Sequence, residues 1–333
     1  MKRIAVVGAT GMVGRTFLKI LEEYNMTEYQ YTLFASSKSA GSKLEFMDNE
    51  HIVYELNENS FDIGFDVALF SAGGDVSGEF APIAVSKKAV VIDNSSRWRM
   101  DPTVPLVVPE VNAEDIKKNK GIIANPNCST IQAVVALNPI HRNYGIRRIV
   151  YSTYQSVSGA GVKGWTDLEN GILSHVDGKQ RPLAKFPYPI FNNCIPHIDD
   201  FLSNGYTKEE VKMVNETRKI LHDNSIAITA TTVRVPVFSA HSESINLELK
   251  QSFDIDDIKA LLMQAPGVKV VDNTENNLYP LASTAADKDD VFVGRIRRDD
   301  SIKNGLNLWV VSDNIRKGAA SNTVQIAKIV LSN

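Results

Sequence analysis

Ile4-Ala5-Val6-Val7-Gly8-Ala9-Thr10-Gly11-Met12-Val13-Gly14 decides the architecture of the first third of the chain. Four apolar residues make a short buried strand, and a glycine-rich turn follows at once. From Met12 the apolar spacing becomes helical, with Val13, Phe17, Ile20 and Leu21 sharing a side through Tyr24. Strand, glycine turn and helix in that order form a dinucleotide-binding loop. Gly8 permits the tight turn, Gly11 lets backbone approach a pyrophosphate, and Gly14 lets the helix pack close on the strand. Thr10, Met12 and Val13 complete the loop, where helix-start amides and the positive dipole end face the phosphates.

Working outward, residues 31–35, 67–71, 90–93 and 121–125 read as further strands, with a helix ending near Val85 among the intervening stretches. That alternation predicts a Rossmann-type parallel sheet flanked by helices, an α/β domain. Enzymes that use NAD place an acidic residue after the second strand, for the ribose diol. Here the strand ends in Phe34-Ala35-Ser36-Ser37-Lys38-Ser39. Hydroxyls from Ser36 and Ser39 and the Lys38 cation suit a 2′-phosphate, so NADP (NADPH) is the expected cofactor. Gly73, in Ser71-Ala72-Gly73-Gly74, is expected along the same crevice.

The pattern changes from Arg147. Alternating runs at 148–157, 226–237 and 244–249 predict a mostly antiparallel sheet in an α+β domain, with helices at 208–221 and 254–265. An apolar-faced helix at 318–331 is expected to return to the first domain. Two domains suit a chain of 333 residues. Residues 1–127 and 313–333 are expected to form a discontinuous NADP-binding domain, and 128–312 a catalytic and dimerisation domain.

A net charge of −3 and the lack of a basic stripe exclude a nucleic-acid surface. No segment has the length and apolarity of a signal peptide or a membrane span, so a cytoplasmic protein is expected. The two cysteines, Cys128 and Cys194, are too few for a disulfide framework and suit a reducing compartment. No metal site is expected.

Asn125-Pro126-Asn127-Cys128-Ser129-Thr130 carries the chemistry. Asn-Pro stops a strand, and Cys128 falls in the first turn of a helix running to about Arg142. A helix N-terminus favours thiolate over thiol, and its amides can stabilise a tetrahedral intermediate. A cysteine nucleophile beside a nicotinamide implies a thioester or thiohemiacetal that exchanges hydride, with a proton shuttle at hand. Of six histidines, His241 is best placed, closing Arg234-Val235-Pro236-Val237-Phe238-Ser239-Ala240-His241. His51 and His197 read as structural or exposed, and Cys194 as packing.

Three blocks together resemble the aspartate-β-semialdehyde dehydrogenase family: 8–14, Asn-Pro-Asn-Cys-Ser-Thr at 125–130, and Gln-Ser-Val-Ser-Gly-Ala-Gly at 155–161. Glu209-Glu210-Val211-Lys212, Arg234-Val235-Pro236-Val237, Ser239-Ala240-His241-Ser242-Glu243 and Asp313-Asn314-Ile315-Arg316-Lys317-Gly318-Ala319-Ala320 follow in the family's order. The resemblance implies that Cys128 attacks the acyl carbon of β-aspartyl phosphate, that His241 is the acid/base and that Gln155 orients the intermediate. It sets Ser158 and Gly159 against the nicotinamide end and Asn314 on the cofactor. Arg234 would hold the substrate α-carboxylate, Glu209 the ammonium, and Arg99 and Lys212 the phosphate. Glu209 and Lys212, three apart on a predicted helix, share a face and can address opposite charges. Lys38 stands where the family often has arginine, and Asn314 where many members have glutamine.

The activity so implied is NADPH-dependent reduction of β-aspartyl phosphate to L-aspartate 4-semialdehyde and phosphate, feeding lysine, threonine, methionine and isoleucine synthesis. A homodimer through the second domain, pairing into tetramers, is the assembly implied. An N-acetyl-γ-glutamyl-phosphate reductase would share the chemistry on a blocked amine, which leaves Glu209 without a purpose. Glyceraldehyde-3-phosphate dehydrogenase is a relative in chemistry, but its Ser-Cys-Thr-Thr-Asn run is absent. A non-catalytic NADP-binding redox sensor is the reading from another class, and a turnover assay separates it.

Overall fold

In the computed structural model, which describes residues 1–332, β1 (Arg3–Val7) leads through the glycine turn into α1 (Met12–Glu23). β2 (Gln30–Ala35), β3 (Lys43–Phe46), β4 (Asn49–Glu55), β5 (Val67–Phe70), α2 (Gly74–Ser86) and β6 (Val90–Asp93) follow. α3 (Pro109–Asn112) and β7 (Ile122–Ala124) precede α4 (Cys128–Tyr144), β8 (Ile146–Gln155), α5 (Gly161–Asp177) and α6 (Lys208–Leu221). Then come β9 (Ala227–Arg234), β10 (His241–Leu249), α7 (Ile255–Gln264), β11 (Val268–Val270) and α8 (Ala282–Ala285). β12 (Val291–Asp299), β13 (Gly305–Ser312) and α9 (Ser321–Ser332) complete the order. The chain divides into two units, Met1–Asn127 with Ala319–Asn333, and Cys128–Gly318. The return crossing thus falls at 318/319, where the sequence reading set it at 313.

Among the described residues the first unit holds a seven-stranded sheet, ordered β3-β4-β2-β1-β5-β6-β7. All its pairings are parallel except the β3–β4 hairpin at its edge. α1 buries Phe17, Leu18, Ile20 and Leu21 and turns Arg15 and Glu22 outward, the amphipathic pattern its spacing predicts. Gly14 sits so near the strand that a Cβ there would lie 2.1 Å from the Gly8 carbonyl oxygen. α9 belongs here: Val324, Ile326, Ala327 and Leu331 share a core with Ile4, Val6 and Leu69.

The β3–β4 hairpin was not expected. Its loop is Met47-Asp48, closed by the Phe46–Asn49 pair, with φ of 52° and 57° at the two residues. Positive φ at both positions is the type I′ requirement, usually announced by Asn-Gly or Asp-Gly. A methionine in that role hides the turn.

The second unit's six-stranded sheet runs β11-β12-β13-β10-β8-β9. Its central pairs are antiparallel, and parallel pairs close the two edges, β8 with β9 and β11 with β12. The middle of β8 and of β10 alternates: Ile149, Tyr151, Thr153, Ile245 and Leu247 are buried, while Val150, Ser152, Ser244 and Asn246 are half-buried. α4 packs on β8, β10, β12 and β13, and α6 on β9. α5, unexpected from the sequence, ends at Gly178 in the left-handed conformation that stops a helix. No helix among the described residues is long and apolar enough to cross a membrane.

Candidate active site

In the second unit, α4 begins at Cys128, which is partly exposed. Gly318 lies against it: a Cβ on Gly318 would come within 2.8 Å of the Cys128 Cβ. Arg234, the last residue of β9, is buried, and its Nη1 donates to the Ser156 carbonyl at 2.6 Å. Its guanidinium lies over the Phe186 ring at 5.9 Å. Burial pulls the Arg234 pKa below its ordinary value, while Glu209 and Cys128 nearby oppose that.

Glu209 is buried on the first turn of α6 and receives two donors, Gln155 Nε2 at 3.1 Å and Lys212 Nζ at 3.2 Å. Gln155 is fixed in turn by Thr153 Oγ1, which donates to its Oε1 at 3.1 Å. Lys212 also meets Asp199 at 2.6 Å. Burial works against the lysine charge, but Glu209 and Asp199 outweigh it and raise its pKa. The helix start that presents this pair is a capping box: Thr207 Oγ1 accepts from the Glu210 amide and the Glu210 carboxylate from the Thr207 amide.

His241 opens β10 and is fully buried. Its Nδ1 accepts from the Ser156 amide at 3.1 Å and lies 3.0 Å from Ser156 Oγ. Burial and then Arg234 push the imidazole pKa well below its ordinary value, and a bond with the Ala240 backbone pulls weakly the other way. Asn314 Oδ1 ties the surroundings together, accepting from Ser156 Oγ at 3.0 Å, Ser158 Oγ at 3.1 Å and the Ala240 amide at 3.1 Å. Ala240 carries a φ of 68°, a conformation that costs an L-residue about 1 kcal/mol or more. Asn314 holds the amide of that residue, which aims the next side chain, His241. Gly159 leaves the space in front: a Cβ there would lie 2.9 Å from Arg234 Nη1 and 3.2 Å from His241 Nε2.

Cys128, Gln155, Ser158, Gly159, Glu209, Lys212, Arg234, His241 and Asn314 therefore all belong to the second unit and are joined by shared partners. Arg99 belongs to the first, where it is buried, with Nε donating to the Asn125 carbonyl and Nη2 to that of Asn94, both at 2.9 Å. Ser156, Ala240 and Asp199 are among the residues that carry no role in the sequence alone. Ser156 and Ala240 lay inside quoted motifs. Nothing in the sequence marks Asp199, whose contact with Lys212 spans an irregular stretch before α6.

In the first unit a crevice of about 480 Å³ is lined by Gly8, Thr10, Gly11, Ser36, Ser37, Ser71 and Ala72, among others. Gly8 has φ 84°, and a Cβ on it would lie 2.4 Å from the Ser71 carbonyl oxygen. Backbone amides of the turn, the α1 N-terminus and serine hydroxyls fit a dinucleotide's phosphates. Met12 and Val13 form the first turn of α1, Gly73 (φ 88°) precedes α2, and Lys38 and Ser39 continue the turn after β2. None of those five lines the crevice itself. Glu55, at the end of β4, does line it. A carboxylate was not expected there, because the strand that carries it was not foreseen. A larger groove of about 920 Å³ opens by Arg3, Gln30 and Asn49, at the start of β1, β2 and β4, away from the glycine turn.

A glycine-turn α/β unit and a sheet unit with a cysteine at a helix start define a class of oxidoreductase, and the family models agree. Residues 3–119 match the semialdehyde dehydrogenase NAD binding domain, and 137–317 the semialdehyde dehydrogenase dimerisation domain. The chain belongs to the aspartate-semialdehyde dehydrogenase family. It is 57% identical over 333 residues to the aspartate-semialdehyde dehydrogenase of Aquifex aeolicus, covering 99% of this chain and 98% of that protein. The Bacillus subtilis enzyme of that name is 50% identical, with 98% and 96% covered. Aspartate semialdehyde dehydrogenase II of Vibrio cholerae, solved also in complex with ASA, superposes with a TM-score of 0.95 at 44% identity, covering 100% and 99%. The Candida albicans enzyme solved with NADP superposes at 0.79 with 26% identity, covering 100% and 99%.

Proposed function

We propose that this protein catalyses NADPH-dependent reduction of β-aspartyl phosphate to L-aspartate 4-semialdehyde, releasing phosphate, through a thioester on Cys128. The observation that carries the proposal is the buried Arg234 at the end of β9, over Phe186, whose charge interacts with both Glu209 and Cys128. A nucleophile, a cation and an anion held in one network match a substrate bearing a reactive acyl carbon, a carboxylate and an ammonium. The Vibrio cholerae relative solved with ASA supports the same substrate class.

Cys128, on a helix N-terminus, attacks the acyl carbon as thiolate. Arg234 binds the α-carboxylate and Glu209 the α-ammonium, with Gln155 orienting Glu209. Lys212 and Arg99 are the phosphate-binding cations we propose. Ser36, Lys38 and Ser39 with the glycine turn would hold the dinucleotide, and Ser158, Gly159 and Asn314 its nicotinamide end. Bound NADPH supplies the hydride that takes the thioester to the aldehyde level. His241 serves the oxygen of the reacting carbon.

The half-exposed sheet face around Tyr154 and Trp309, whose rings lie 5.5 Å apart, is the surface we propose for pairing two copies of the chain, with pairs associating into tetramers. The cytoplasm is the proposed compartment. The test is production of NADPH from aspartate semialdehyde, phosphate and NADP. Mass spectrometry of protein mixed with β-aspartyl phosphate alone should show an aspartyl adduct on Cys128, and Cys128→Ala should abolish both adduct and turnover. An adduct on Cys194 would overturn the assignment.

A further inference from the structure

Glu209, Lys212 and Asp199 form a row that runs from the interior outward, their side chains 7%, 25% and 33% exposed. Lys212 Nζ stands between the two carboxylates, but not evenly: it is 2.6 Å from Asp199 Oδ2 and 3.2 Å from Glu209 Oε2. A charge-assisted N–H···O bond is about 2.7–2.9 Å long, so the inner contact is the weak one. Glu209 and Lys212, three apart on α6, would pair closely by themselves. The outer carboxylate draws the lysine off the inner one.

Asp199 is fixed for that task. The stretch that carries it is laid against the start of α6: the Lys208 amide donates to the Asp200 carbonyl at 2.9 Å, Lys208 Nζ meets the Asp200 carboxylate at 2.6 Å, and Phe201 bridges to Thr207. Asp199 itself has a φ of 68°, and its Oδ1 accepts from the Asp200 amide at 2.9 Å, which turns Oδ2 to Lys212. A left-handed residue persists where its surroundings hold it, so this carboxylate is an anchor for the lysine. On the inner side, Gln155 gives Glu209 Oε1 a neutral donor, which does not cancel its charge.

We propose that Asp199 is a positioning residue that holds Lys212 off Glu209, so that Glu209 can accept the α-ammonium of the substrate. The proposal rests on the reaction proposed above and adds the residue that sets its preference for a free amine. Without Asp199, Lys212 closes on Glu209 and one cation stands where another must bind. The competitor is tethered three residues away, so it acts at a high effective concentration whatever the supply of substrate. An aldehyde that lacks the ammonium has no use for Glu209 and is indifferent to that closure.

Asp199→Asn tests this with the fold kept, because asparagine also adopts the left-handed conformation and retains an oxygen for the Asp200 amide. In the direction that makes NADPH, at saturating phosphate and NADP, KM for aspartate semialdehyde should rise about tenfold, the worth of one charge-assisted hydrogen bond. The inhibition constant of succinic semialdehyde, the same aldehyde with hydrogen in place of the ammonium, should stay within about twofold. Adding Lys212→Met to Asp199→Asn removes the competing cation. That double variant should bring KM for aspartate semialdehyde back to within about threefold of wild type, while KM for phosphate rises. Equal losses on the two aldehydes, a rise confined to KM for phosphate, or no recovery in the double variant would each overturn the proposal. A wild type that makes no NADPH from aspartate semialdehyde would bring down the reaction and the proposal together. A working wild type beside an Asp199→Asn protein with unchanged KM would overturn the proposal alone.

Discussion

Arg234 shows how much a single side chain is asked to do. It is buried, donates to a backbone carbonyl, lies over Phe186, and still presents charge toward Glu209 and Cys128. A lysine could supply the charge but not the planar fork. Arg234→Lys should therefore fold normally and lose ten- to a hundredfold or more in kcat/KM, about what one or two charge-assisted hydrogen bonds contribute. Near-normal kinetics would move Arg234 out of the substrate site. Lys38 tests cofactor choice in the same way. Lys38→Glu should weaken NADP binding far more than NAD binding, by placing repulsion against a 2′-phosphate. Equal losses in a titration of both cofactors would show that Lys38 does not face the ribose. At this scale the sequence was most informative where a residue's chemistry is unusual in its setting. A cysteine after Asn-Pro-Asn stands out, whereas Ser156 and Asp199 do not, because serine and aspartate suit almost any exposed turn. Their roles come from partners 85 and 13 positions away in sequence.

Among the elements, α6 couples stability to substrate recognition. Its capping box, Thr207 with Glu210, brackets Glu209, and Lys212 lies two positions beyond it. Thr207→Ala should cost about 1 kcal/mol of stability and also raise KM, because the first turn carries Glu209 and leads directly into Lys212. A stability loss in chemical unfolding with KM unchanged would show that the Gln155 and Asp199 contacts hold Glu209 and Lys212 without the cap. The parallel strands and α1 were legible because burial imposes a clear period on the sequence. The β3–β4 hairpin was not, since Met47 and Asp48 adopt positive φ with no glycine to announce it. That omission concealed Glu55, and with it the carboxylate at the cofactor crevice.

Across the whole molecule, one buried acid links pH to stability. Glu243 is fully buried on β10, and neither carboxyl oxygen has a hydrogen-bond partner among the described residues. Burial raises its pKa well above the ordinary carboxyl range, and Gln132 on α4 offsets only a little of that. Its contribution to stability is complete below the unfolded-state pKa and is lost as pH rises toward the folded value, because the unfolded chain ionises first. Glu243→Gln should thus match wild type near pH 4 and gain on it at higher pH, by up to about 1.4 kcal/mol per pH unit. A difference in denaturation midpoint that stays constant from pH 4 to 8 would mean that Glu243 ionises in the folded protein. The discontinuous first unit has a consequence for how the chain is made. Its core closes around Val324, Ile326 and Leu331 of α9, which leave the ribosome only after every residue of the second unit. The glycine turn is therefore synthesised early and finished late. Throughout synthesis the parallel sheet waits with the part of one flank beside α1 uncovered, a condition in which a nascent chain depends on chaperones.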